Sequence, residues 1–205
     1  MYQEIINCDD WKKKRNGKKL CKNANARQPL AMAIPDLCRV VIVSQAPSKP
    51  ASEKQILADI NNGTFNQFIN VLGLSIDRFH KNVYWTHYGK CYPGSRPGGD
   101  QWPTVHCANK FIKREIAKCK AKGAKLVIGI AEPATKYLYH EFVAPETTKS
   151  SLIYNKIINK KHISKGLTWL FIKHTATTAA WSKDSIDKEF IERVLQPEVG
   201  LAVED

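Results

Sequence analysis

The chain has 205 residues, 43% of them hydrophobic, with 32 Lys and Arg against 19 Asp and Glu, a net charge of +13. That length supports one domain with a sizeable core, and no apolar run approaches the roughly 18 residues that span a bilayer. The first ten residues lack a charged-then-apolar signal layout, so the expected setting is intracellular and cytoplasmic, with no membrane partner.

Residues 1–38 read as an irregular arm, in which Lys12, Lys13, Lys14, Arg15, Lys18 and Lys19 lie between Cys8 and Cys21. Arg39–Val43 is an apolar β-branched run that stops at the small-residue loop Ser44-Gln45-Ala46-Pro47-Ser48, the pattern of a buried parallel strand. Residues 52–72 carry helical spacing (Ile56, Ile60, Phe65, Phe68, Ile69, Leu72), which Gly63 divides. Asn82–Thr86 predicts a second strand and Cys91–Pro103, rich in Gly and Pro, a loop. Thr104, a suitable N-cap, opens a helix to about Ala121. Leu126–Ile130 predicts a third strand, Glu132–Tyr139 a helix, and Trp169–Ile172 a fourth strand. An amphipathic helix over 184–195 closes the chain, with Ile186, Phe190, Ile191 and Val194 on one face.

This alternation predicts a single α/β domain over residues 1–205, an α/β/α sandwich around a mostly parallel four-stranded sheet. Ligands of such sheets bind beyond the carboxyl ends of the strands. Three strand ends carry polar signatures there: Gln45 to Ser48, Thr86-His87, and His174 to Thr177. The cationic surplus favours a polyanion, since contact with phosphates releases condensed counterions. The basic residues are scattered and not gathered on one amphipathic helix, so nucleic acid is the expected partner and a membrane surface is not.

There are six cysteines. Cys38 beside the first strand and Cys119 in a helix read as small buried hydrophobes or surface thiols. Cys8, Cys21, Cys91 and Cys107 lie in or beside loop-like chain, where a four-thiolate metal site can be wrapped. Disulfides are disfavoured in an intracellular setting. Zinc remains open, although close Cys-x2-4-Cys pairs are absent.

Asn82-Val-Tyr-Trp-Thr-His-Tyr-Gly-Lys-Cys91-Tyr-Pro-Gly94 resembles the "VYITNxxKCxPP" segment of the uracil-DNA glycosylase superfamily, in particular its iron–sulfur family-4 type. Cys107-Ala-Asn-Lys-Phe-Ile-Lys-Arg-Glu115-Ile116 is similar to "CxxFLxxEI", Ala124–Gly129 to the "PKLIVALG" strand, Val43–Ser48 to "VGEAPG", and His174-Thr-Ala176 to "HPS". Cys21 with Arg27 resembles the second cluster cysteine and its downstream Arg. The likeness runs in order from about residue 21 to 181.

The resemblance implies a [4Fe–4S] cluster on Cys8, Cys21, Cys91 and Cys107. Lys18 stands where the family's first cysteine would be, and Cys8 takes its place. It implies catalytic roles for His174, which would donate to the uracil O2, and for Gln45 and His87. Ala46, Pro47 and Phe65 would line the base, and Ser48, Thr175, Ala176 and Thr177 would meet DNA phosphates. The implied activity is that of a monomeric, nucleoid-associated repair glycosylase that flips out a deaminated base, uracil foremost, and hydrolyses its N-glycosidic bond. The chain departs from the pattern in two places: motif 1 has no carboxylate, with Gln45 and Ala46 at the relevant positions, and His87 replaces an Asn. A superfamily member that binds DNA through an iron–sulfur fold without cleavage is the alternative. A zinc-stabilised nucleic-acid-binding module is a third.

Overall fold

The computed structural model describes residues 1–15, 18–19, 29–57, 63–97, 99–145, 153–173 and 185–204. Its central sheet consists of Val40–Ser44 (β1), Val83–His87 (β2), Leu126–Ile130 (β3), Lys161–Ser164 (β4) and Leu167–Ile172 (β5), in the order β2-β1-β3-β5-β4. The first three strands and β5 are parallel, and β4 pairs antiparallel with β5. β1 and β3 are flanked on both sides, and their near-continuous apolar sequence follows from burial on both faces.

The sheet therefore has five strands where the sequence predicted four. The missed strand, Lys161-His-Ile-Ser, is an edge with no fully buried position, and its Ile163 is 74% exposed. A polar edge of this kind carries no apolar alternation. Its hairpin is closed by Lys165 and Gly166, both at positive φ (54° and 69°), as a primed two-residue turn requires. Lys-Gly is a weaker signal for that turn than Asn-Gly.

The helices are Tyr2–Ile6 (α1), Lys49–Lys54 (α2), Gly63–Leu72 (α3), Ile76–Asn82 (α4), 105–121 (α5), 132–143 (α6), Ile153–Ile157 (α7) and 185–204 (α8). α5, α6 and α8 each contain a π-turn. The sequence predicted no helix at α4. Ser75 starts it, its Oγ accepting from the Arg78 amide at 3.3 Å. α8 runs nine residues past the predicted stop, because a π-turn over Ile191–Leu195 ends one residue before Pro197 and relaxes the clash its ring would make in a regular turn.

Helices cover both faces of the sheet. One face buries Val40, Ile42, Ile128 and Ile172 against Phe65, Phe68, Leu72, Phe79, Phe190 and Val199. The other buries Val41, Val43, Val127, Trp169 and Phe171 against Ile112, Ile116 and Leu138. Gly129 on β3 permits this second packing, since a Cβ there would meet Phe171 at 2.8 Å.

The N-terminal arm is more ordered than predicted. It begins with α1, makes a 3-10 turn at Asp10–Lys12, and pairs Lys14–Arg15 with Lys18–Lys19. Polar contacts tie it to α5. The Asp10 carboxylate accepts from Lys110 (2.5 Å), His106 (3.0 Å) and Lys13 (3.2 Å), and Glu4 pairs bidentately with Arg114 at 2.7 and 2.6 Å. Burial works to raise the Asp10 carboxyl, but those three donors outweigh it and hold the group below the usual carboxylate range. Among the described residues, no helix is long and apolar enough to cross a membrane.

Candidate functional site

The strand order reverses between β1 and β3, which places the ligand-binding crevice of a doubly wound sheet at their carboxyl ends. β1 ends in Ser44, in register with His87 at the end of β2. The chains continue side by side beyond the sheet, the Tyr88 amide donating to the Ser44 carbonyl (2.7 Å) and the Gly89 amide to that of Gln45 (2.9 Å). Gly89 is required by close approach: a Cβ would lie 2.5 Å from the Pro103 Cβ and 3.8 Å from the Ala46 Cβ. At the end of β3, Ala131 holds φ 71° and ψ 158°, a conformation costly for any residue but glycine.

Gln45 and Ala46 are half-buried in the loop after β1, and Pro47 is buried. Ser48, predicted to meet phosphate, is exposed and caps α2, its Oγ accepting from the Ala51 amide at 3.3 Å. Phe65, predicted to line the base, is 4% exposed and stacks on Trp85 with ring centroids 5.7 Å apart and planes at 17°. It is a core residue of α3, and the ring face in question is covered by Trp85. Trp85 in turn stacks on His87 (6.1 Å, 26°) and donates from Nε1 to Ser44 Oγ at 2.9 Å. Glu53 is exposed on α2. His174, Thr175, Ala176, Thr177 and Cys21 lie outside the described residues.

His87 is buried, and its Nδ1 has no hydrogen-bond partner among the described residues. Desolvation, with the Lys90 charge nearby, lowers its pKa to about 3, so the imidazole is neutral at ordinary pH. The unfolded chain, with a His pKa of about 6.5, takes up a proton that the folded chain refuses. Stability from this group is therefore complete above about pH 6.5 and lost as pH falls toward 3, at about 1.4 kcal/mol per pH unit. Urea unfolding at pH 7.5, 5.5 and 4.5 should show the native protein losing more stability on acidification than His87→Asn. Parallel losses in the two proteins would refute this origin.

Sequence reasoning missed the most constrained polar group next to the site. Lys90 is 1% exposed and donates to both oxygens of Glu115, at 2.8 and 2.6 Å. Glu115, 0% exposed, also accepts from Tyr84 Oη (2.6 Å) and Thr86 Oγ1 (2.8 Å). Burial, with the Glu115 carboxylate beside it, pushes the Tyr84 phenol far above its usual range. The network bolts β2 and the chain after it to α5, and the Lys90 carbonyl accepts the Leu30 amide at 2.8 Å, fixing the end of the arm. Both charged residues lay in the quoted motif stretches. Their exact reciprocity with Tyr84 and Thr86 is visible only in three dimensions.

Among the described residues, Cys38 and Cys119 lie in a different cluster from Cys8, Cys91 and Cys107. Cys38 and Cys119 are fully buried in the main core, where Cys38 Sγ donates to the Val40 carbonyl at 3.8 Å. Cys91 and Cys107 share a small apolar cluster with Ile5 and Phe111, and Cys8, Met1 and Ala31 pack against it. Burial and the charges of Cys107 and Cys8 push the Cys91 thiol up to about 12, and burial raises Cys8. Lys110 Nζ donates to Cys8 Sγ at 3.8 Å. Among the described residues, no three His, Cys, Asp or Glu side chains are set to hold a metal ion by themselves. The surround of Cys8, Cys91 and Cys107 is mostly apolar, with Lys110 beside Cys8. No family model matches this chain, and no curated protein matches it.

Proposed function

We propose that the protein is a DNA glycosylase that takes a deaminated base, uracil foremost, out of the stack and hydrolyses its N-glycosidic bond. One observation carries the reading. Segments far apart in sequence that resemble glycosylase motifs meet at one edge of the sheet, where the Gln45–Ala46 loop lies against Tyr88–Gly89. The cationic surplus suits the DNA backbone.

In the proposed reaction the C1′–N bond breaks, its electron pair leaves with the base, water oxygen bonds to C1′, and the proton that water loses passes through solvent to the departed base anion. His174 would donate to a carbonyl of the departing base and stabilise its negative charge. The Gln45 amide would orient water, since a neutral side chain there cannot act as a carboxylate base. His87, neutral and with a ring nitrogen unpartnered among the described residues, would exchange one hydrogen bond with the base edge. Cys8, Cys91 and Cys107, with Cys21, would hold a [4Fe–4S] cluster, which when bound cross-links the arm to α5.

The missing motif-1 carboxylate favours a second reading, a DNA-binding protein that does not cleave. One assay separates the two. The full chain is incubated with single- and double-stranded oligonucleotides carrying uracil, hypoxanthine or xanthine, with His174→Ala beside it. Abasic product that falls at least about tenfold in the variant supports the glycosylase. Binding with no product from any substrate leaves the second reading.

A further inference from the structure

Beside the candidate site opens a groove of about 550 Å³ between the first turn of α5 and the length of α6. Its apolar lining comes from Trp102, Tyr88, Pro103, Pro133 and Tyr137, the two tyrosine rings meeting edge to face at 73°. Asn109, Lys136, His140 and Glu141 supply polar groups, and the Glu141 carboxylate is paired with Lys113. Trp102 is 53% exposed. A single exposed aromatic residue is ordinary on a protein surface. Here the indole lines a concave wall with two tyrosines and two prolines, an arrangement suited to a planar ring. Tyr137 is fixed, its Oη donating to the Ala108 carbonyl at 3.1 Å. Lys136 pairs with Glu132 at 2.5 Å on a partly exposed rim, where a second anion can share it.

We propose that this groove is a stacking subsite for an unpaired nucleobase, with the attached phosphate held near Lys136. The apolar walls accept the base faces without reading sequence, and the chain's net charge of +13 complements the phosphate. Two facts set the groove next to the sheet edge: Tyr88 directly follows β2, and Pro103 packs against Gly89. A nucleotide bound there would neighbour one held at the strand ends. The proposal goes beyond the glycosylase reading, since it needs nucleobase binding and no bond cleavage. The groove's other candidate occupant, an apolar peptide segment, has no use for the cationic surplus.

The test uses the full chain and a fluorescently labelled ten-residue oligothymidylate, read by anisotropy. Trp102→Ala should weaken binding about 5- to 150-fold, the range for one lost base–aromatic stack, while Trp102→Phe keeps most of the affinity. Because Trp102 is more than half exposed, the far-ultraviolet circular dichroism of both variants should match the native protein. Competition by thymidine monophosphate would assign the groove to free nucleotides, and competition by oligonucleotide alone would assign it to a strand. Equal affinity of Trp102→Ala and native protein would overturn the proposal. So would failure of the native protein to bind the oligonucleotide, or an equal loss toward a base-free heparin fragment. Excision of uracil by a Trp102→Ala protein that binds as tightly as native would sink this inference and leave the glycosylase reading standing.

Discussion

Lys90→Met should destabilise the protein by about 3–5 kcal/mol, the usual cost of leaving one member of a buried ion pair uncompensated. Total stability is only about 5–15 kcal/mol, so much of the chain would unfold in mild denaturant. The effect follows from how completely the pair is enclosed. Lys90 is 1% and Glu115 0% exposed, and the carboxylate collects donors from Lys90, Tyr84 and Thr86. Removing the ammonium leaves a charge that water cannot reach. Glu115→Gln in the Lys90→Met background should recover most of the loss, because the amide oxygen still accepts from Tyr84 and Thr86 while the stranded charge is gone. Urea midpoints for the single and double variants decide the matter. A double variant no more stable than Lys90→Met would show that the lysine acts through packing of its stem rather than through charge.

Cys91→Ser and Cys107→Ser should each abolish the broad absorbance near about 400 nm expected of a [4Fe–4S] protein purified without oxygen, along with most of its bound iron. Cys119→Ser should change neither. The contrast rests on position. Cys91 and Cys107 share an apolar cluster against which Cys8 packs, whereas Cys119 lies in the main core with Cys38. Burial and mutual charge push the Cys91 thiol up to about 12, and a bound cation is what would let such thiols ionise together. Iron content and absorbance are measured on the native chain first. Colourless native protein with stoichiometric zinc would reject iron while keeping the cysteine grouping. Equal metal in native, Cys91→Ser and Cys107→Ser proteins would reject the grouping as a metal site.

Much of the fold was legible in the sequence because its inner strands are buried on both faces. Val40–Val43 and Leu126–Ile130 must be apolar throughout, so they announce themselves without a partner. β4 did not, because an edge strand open to water obeys no apolar pattern, and α8 ran past Pro197 because a π-turn absorbs the ring. The sequence also separated Cys38 and Cys119 from the cysteines of loop and arm, through their flanking residue types. Tertiary structure alone decided which side chains meet. Phe65, spaced like a core residue and also a candidate base platform, is covered by Trp85. Asp10 gathers Lys13, His106 and Lys110. Lys90, which a one-dimensional reading leaves in solvent, is enclosed with Glu115 from 25 residues away. Local sequence records whether a position is dry. The partner of a buried charge is set by the folded topology, because pairing depends on which segments the sheet and helices bring to the same point.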